Sequence, residues 1–199
     1  MKKYLLISFF AVLSFLISNQ GFAVETQSLQ ILLDPAYEAK ICPSPLFKNT
    51  AIAWGGVKDE RESKDLSVIY KKEQAVMSFQ TDKPLADYYD EHLQTVLKRC
   101  GMNLVATNAK HELTVVAHIQ EFTADMNKTL TKSQTQADSR LVLTFDGDYV
   151  NYDVNIGFEM DSNSASFKNK KKLQKTMSEL FFGTLNEMIR SDQLKFLKK

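Results

Sequence analysis

Two cysteines, three histidines, four prolines, one tryptophan and seven glycines serve 199 residues, and each scarcity closes off a line of chemistry. His92, His111 and His118 have no neighbouring cysteine and no i,i+4 histidine or carboxylate partner set on one helix face. Zinc needs three or four converging ligands, so no metal is expected. Neither cysteine lies beside a plausible base, and there is no G-x-S-x-G elbow. Nucleophilic catalysis is not expected, and no catalytic residue is assigned. There is also no G-x-x-x-x-G-K-[ST] or G-x-G-x-x-G loop, so no nucleotide cofactor is expected either. Charge of one sign is lacking as well: 25 basic residues face 24 acidic ones, which gives no reason to expect nucleic acid as a partner.

Long apolar runs are confined to the start. Met1-Lys2-Lys3 is positive, Tyr4 to Ile17 is apolar apart from Ser8 and Ser14, and Gly21 and Ala23 are the small residues that a signal peptidase reads. This pattern predicts a secretory signal peptide over 1–23, cleaved after Ala23; the apolar run is short for a membrane anchor, the competing reading. A bacterial lipoprotein needs a cysteine directly after that run, and the first here is Cys42. The expectation is an exported, unlipidated, soluble periplasmic chain with a net charge near −1 once Lys2 and Lys3 are removed. In an oxidising compartment an even cysteine count favours a Cys42–Cys100 bridge, with two buried thiols or an intermolecular bridge as the alternatives.

What is present is an alternation of strand and helix patterns. Residues 24–49 read as a lead-in arm, with a short strand at Leu29-Gln30-Ile31-Leu32-Leu33, and residues 50–199 as a single α+β domain. Thr50 to Val57 reads as a strand in which Gly55-Gly56 marks a bulge or close backbone approach. Leu66 to Tyr70 is a second. Asp82 is the expected N-cap of a helix that starts near Pro84. Its apolar stripe runs through Leu85, Tyr88, Tyr89, His92, Leu93, Val96, Leu97 and Cys100, and Gly101 ends it at C′.

Period-two alternation follows at Leu113 to Ile119, Leu141 to Phe145 and Val150 to Met160. Parity places the last two in a hairpin turning at Gly147-Asp148, type II′ if tight, with Phe145 across from Val150, Leu143 from Tyr152 and Leu141 from Val154. The polar segment 123–138 is either an extended ribbon or a mobile loop. A final helix over 167–190 buries Leu173, Met177, Leu180, Phe181, Thr184, Leu185 and Met188. These elements predict an α+β fold with a single, mostly antiparallel sheet packed by two helices.

Two charged stretches remain. Asp59, Glu60, Arg61 and Glu62 alternate faces in an extended chain, so Asp59 and Arg61 share a side. They are read as a structural or partner-holding ion pair at a strand end rather than as a carboxylate site. Lys168-Asn169-Lys170-Lys171-Lys172 with Lys175 opposes the dipole of the last helix. It is either a solvated polar face or a contact for anionic lipid headgroups.

The strand end Val57-Lys58-Asp59-Glu60-Arg61 resembles the V-x-D-x-R strand end of the YajG-like lipoproteins. The likeness continues through the helix from Pro84, the Cys100-Gly101-Met102-Asn103 exit, the Leu113-Thr114-Val115 strand and the closing helix. The wider group includes auxiliary lipoproteins of ABC-type envelope transport systems. The resemblance implies a non-enzymatic α+β envelope protein with no catalytic residues to transfer. This chain departs from it in lacking the lipidated cysteine and in holding the Cys42 and Cys100 pair. The resulting expectation is a periplasmic binding or adaptor domain for an envelope protein partner, docking through an exposed strand edge or the 123–138 ribbon. The runner-up is a carrier of a small hydrophobic ligand held by Tyr88, Tyr89 and Phe181. A hydrolase using the Asp59–Glu62 carboxylates ranks last.

Overall fold

The structure, a computed structural model, describes residues 24–32, 40–42, 45–47, 51–71, 74–128, 133–148, 150–164 and 170–198. The expected signal peptide, 1–23, lies outside the described residues, as do Leu33 and Lys168. Within the described residues eight strands and two long helices follow one another: β1 Glu25–Leu29, β2 Ala51–Asp59, β3 Ser67–Lys71, β4 Gln74–Thr81, α1 Leu85–Arg99, β5 Asn103–Val105, β6 Leu113–Lys128, β7 Ser133–Gly147, β8 Val150–Ser164 and α2 Lys170–Arg190. A short 3-10 segment, Asp192–Leu197, closes the described chain. None of the described helices is long and apolar enough to cross a membrane.

The strands form two sheets, one of three strands in the order β1-β4-β3 and one of five in the order β5-β2-β6-β7-β8. In the larger sheet β5–β2 and β2–β6 are parallel, and the β6–β7–β8 meander is antiparallel. In the smaller, β1 runs parallel to β4 and β3 antiparallel to it. This corrects the single, mostly antiparallel sheet expected above, although the class remains α+β. The physical reason lies in the connections. Alternation fixes which face a side chain takes but not the direction of its neighbouring strand. The passage from β2 to β6 contains the whole of β3, β4 and α1, long enough to return the chain for a parallel pairing. The small sheet also went unseen because polar Ser67 and Ser78 are buried in it, which blurs the alternation of β3 and β4.

Helix α1 buries Leu85, Tyr88, Tyr89, Leu93, Val96 and Leu97, and Lys98 and Arg99 sit favourably against its negative C-terminal end. Gly101, at φ 93°, supplies the left-handed exit that a Cβ would strain. Asp82 is not the cap: Pro84 occupies that position without a side-chain bond, and the Asp82 carboxylate instead accepts a hydrogen bond from the Tyr88 hydroxyl. Helix α2 packs Leu173, Met177, Leu180, Phe181, Leu185 and Met188 into the same core, facing the inner side of the meander.

The hairpin keeps the expected faces but shifts its register. Gly147 pairs with Val150, Phe145 with Tyr152, Leu143 with Val154 and Leu141 with Ile156. Parity allows slippage in steps of two, so it could not choose between these registers. Gly147 is not in a left-handed conformation; an added Cβ would lie 2.8 Å from the Glu112 carbonyl oxygen, so close packing accounts for the glycine. The 123–138 segment is extended on both sides of 129–132, with Thr123 across from Asp138 and Lys128 across from Ser133.

Candidate functional site

Strand β2 reaches the charged stretch through its two glycines. The pairing with β6 shifts between Trp54 and Val57, and Gly56 there takes φ 88°. Gly55 lies so close to β6 that an added Cβ would be 2.6 Å from a Val116 methyl. Such a bulge re-aims the strand beyond it. Trp54 anchors the near side by donating from Nε1 to Asp90 Oδ1 at 2.7 Å, tying β2 to α1.

Past the bulge, Asp59 receives a two-pronged grip from Arg61. Nε donates to Oδ1 at 2.9 Å and Nη2 to Oδ2 at 3.0 Å. Arg61 Nη1 donates across to the Phe122 carbonyl at 3.2 Å, and the residue is only 6% exposed. Lys64 adds a second cation 3.1 Å from Asp59 Oδ1. Burial raises the Asp59 carboxyl, but the Arg61 hydrogen bonds and charge, joined by Lys64, outweigh it and hold the group below its ordinary value. Around this pair, residues 60–66 replace β2 along β6: Glu60 N–H donates to the Ile119 carbonyl at 2.9 Å, and Ala124 N–H donates to the Leu66 carbonyl at 2.7 Å.

The four charges therefore do not converge. Asp59 turns to Arg61, Glu60 Oε1 lies 2.7 Å from His118 Nδ1, and Glu62 is exposed. An open depression of about 500 Å³ beside them is lined by Glu60, Arg61, Glu62, Ser63, Gln120, Glu121 and Thr123. The other histidines stand apart. His111 contacts the Ala109 carbonyl and Thr114, and His92 packs edge-on against Phe181. Among the described residues no group of His, Cys, Asp or Glu is placed to hold a metal ion.

Of the residues expected to hold a hydrophobic ligand, Tyr89 and Phe181 are packed against one another, and Tyr88 is buried with its hydroxyl on Asp82. Tyr89 and Phe181 are fully buried with ring centroids 4.5 Å apart, and Phe122 meets Tyr89 edge-on at 5.9 Å. Burial pushes the Tyr89 hydroxyl up to about 12, and burial together with Asp82 pushes Tyr88 to about 12. Cys42 and Cys100 are joined in a disulfide, and the Cys100 carbonyl accepts from the N–H groups of Leu46 and Phe47, fixing the arm to the end of α1. Lys170, Lys171 and Lys172 open α2 with no acidic residue in the first turn, and Lys175 lies 3.6 Å from Glu179.

Sequence reasoning missed one feature, the outer edge of β8. Gln193 presents its side-chain amide to Asn155 as a strand would: Asn155 N–H donates to Oε1 at 3.1 Å and Nε2 donates to the Asn155 carbonyl at 3.3 Å. Phe196 secures that segment edge-on against Phe145 and Tyr152. The signal was a lone glutamine in a polar tail, with nothing local to indicate its partner.

No family model matches the chain, and no curated protein matches it. Among solved structures, it is similar to protein XCC0632 from Xanthomonas campestris, of family model DUF330, at 11% identity and a TM-score of 0.50, covering 84% of this chain and 92% of that one. An uncharacterized protein aligns at 10% identity and a TM-score of 0.44, covering 84% and 98% respectively. The hypothetical protein CT253 from Chlamydia trachomatis aligns at 12% identity and 0.41, covering 74% and 97%. The likeness to XCC0632 is one of fold alone, and it does not single out the YajG-like lipoproteins.

Proposed function

We propose that the chain is a non-enzymatic protein of the cell envelope, a binding or adaptor domain for another envelope protein of a transport or assembly system. The observation that carries this reading is the combination of a filled interior with an outer edge of the long strand β8 that no strand pairs among the described residues. Tyr88, Tyr89 and Phe181 are spent on packing, Asp59 and Glu60 are committed to separate partners, and Glu62 is exposed. What remains available is surface, and an open strand edge is the surface best suited to recruit another chain. The sequence of the first 23 residues and the disulfide both favour an exported, unlipidated chain in an oxidising compartment. The lysines that open α2 favour a secondary, peripheral contact with anionic headgroups.

The test is to place a photo-reactive residue in turn at Glu62, Glu159 and Lys170 in cells that export the protein. A reproducible adduct with one envelope protein is expected from at least one position. Absence of any specific adduct from all three would sink the adaptor reading. Fractionation should recover a periplasmic chain whose N-terminus is Val24; recovery of an unprocessed, membrane-held chain would overturn the proposed location.

A further inference from the structure

Asn155 fixes the orientation of the whole β8 edge. Both its N–H and its C=O meet Gln193, so they point away from β7. With the two-residue period of a strand, Gly157, Glu159 and Asp161 turn their backbone groups the same way. Among the described residues no strand pairs with this side of β8, and no backbone hydrogen bond satisfies those three positions. The covered part of the edge ends at Asn155, and the open part begins at Gly157.

Gly157 has no evident use within the chain itself. It does not adopt a positive φ, and a Cβ added to it would meet nothing within 4 Å. Glycine inside a strand weakens it, and a common compensation is the close approach of another backbone. The flanking side chains then set the chemistry of what approaches. Glu159 and Asp161 are exposed on the outer face, while Phe158 and Met160 are half-buried on the helix-facing side. A strand laid against this edge puts alternate side chains opposite each set. A second copy of this chain would set carboxylates against carboxylates, which is unfavourable across a strand pair, whereas opposite charges there stabilise it.

We propose that the Gly157–Asp161 edge of β8 receives an extended segment of a partner protein in which Lys or Arg alternates with apolar residues. The cations lie opposite Glu159 and Asp161, and the apolar residues lie over Phe158 and Met160. This rests on the adaptor reading above and names the chemistry of its partner. Gln193 bounds the site, because its amide occupies the next outward-facing backbone position along the strand.

The probe is a fluorescein-labelled nine-residue peptide alternating Lys and Val, added to the full mature chain. Binding read by anisotropy should weaken about tenfold in the Glu159→Lys/Asp161→Lys variant, whose changes lie on an exposed face. The same peptide with Glu replacing Lys should not bind. Amide exchange at Gly157, Glu159 and Asp161 should slow on binding, a protection that loose charge attraction would not give. Gln193→Ala frees Asn155 and should tighten binding severalfold. Failure of the peptide to bind, equal affinity for the charge-reversed variant, or binding without amide protection would each overturn the inference. Crosslinking separates this failure from that of the adaptor reading: adducts at Glu62 or Lys170 but none at Glu159 would remove the edge and leave the adaptor standing.

Discussion

The two margins of the five-stranded sheet are closed by different means. At one side the terminal strand is β5, three residues long, and the adjoining arm is bonded to the end of α1 through Cys42–Cys100 and the Cys100 carbonyl. Next to it, where β2 gives out, residues 60–66 continue along β6 and are held by the partly buried Asp59–Arg61 pair. At the other side β8 runs for fifteen residues, and among the described residues its outer edge is met by one exposed glutamine amide. Short edge strands and covered edges are the usual protection against unwanted pairing. Closing one margin with a covalent bond and a partly buried ion pair, while the described residues leave most of the other uncovered, makes the first a source of stability and the second a surface.

The strongest test of that contrast is to loosen the closed margin. Replacing both cysteines, Cys42→Ala with Cys100→Ala, should lower the unfolding free energy by about 4 kcal/mol in urea titrations, the chain-entropy expectation for a 58-residue separation. Arg61→Met should cost about 3 kcal/mol, since it leaves the half-sheltered Asp59 carboxylate without its main partner. The figure sits at the low end for a broken buried pair because Lys64 stays within 3.1 Å of the same oxygen. This pair also gives a pH signature. The folded carboxyl titrates below its unfolded value of 3.8, so its stabilisation is complete above that value and is lost as pH falls through the lower folded value. Arg61→Met should flatten the acid limb of the stability curve. An unchanged limb would show that Asp59 does not hold this margin.

Much of the closed margin was legible in the sequence because its signals are local or paired by elimination. Gly55-Gly56 announced the bulge, the i,i+2 spacing put Asp59 beside Arg61, and two cysteines left one internal pairing. The third contact of Arg61, the Phe122 carbonyl 61 residues away, had no local trace. The same holds for strand direction: β2 looks alike whether its neighbour runs parallel or antiparallel, and the single-sheet expectation failed there. The open margin was nearly silent. Alternation along β8 gave its inner face correctly, but the edge depends on Gln193 reaching Asn155 across 38 residues.

The packing behind the open margin can be stressed next. A Cβ on Gly183 of α2 would lie 2.1 Å from the Phe158 ring, so Gly183→Ala must displace that ring. A loss of about 1–2 kcal/mol is expected, modest for overpacking because half-buried Phe158 can swing outward. Adding Phe158→Ala should recover part of the Gly183→Ala penalty, a coupling that a double-mutant cycle measures directly. Additive losses would mean that β8 is not held against α2 at this point.

The smallest effect should come from the glutamine that caps the β8 edge. Gln193→Ala removes both amide bonds to Asn155, yet Gln193 is exposed and water can replace them, so global stability should fall by only about 1 kcal/mol. The local consequence should be larger than the global one. Exchange of the Asn155 amide should speed up while Leu141 and Leu143, paired on the inner side of the meander, keep their protection. Leu194 and Leu197 are buried and Phe196 packs on Phe145, so the 3-10 segment should stay in place when the amide is lost. Were the whole segment to detach, the loss would approach that of Arg61→Met and the two margins would prove equally defended. A purely local opening at Asn155 is what the contrast requires, because a side chain that caps an edge without bearing the fold's stability can give way when another strand takes its place.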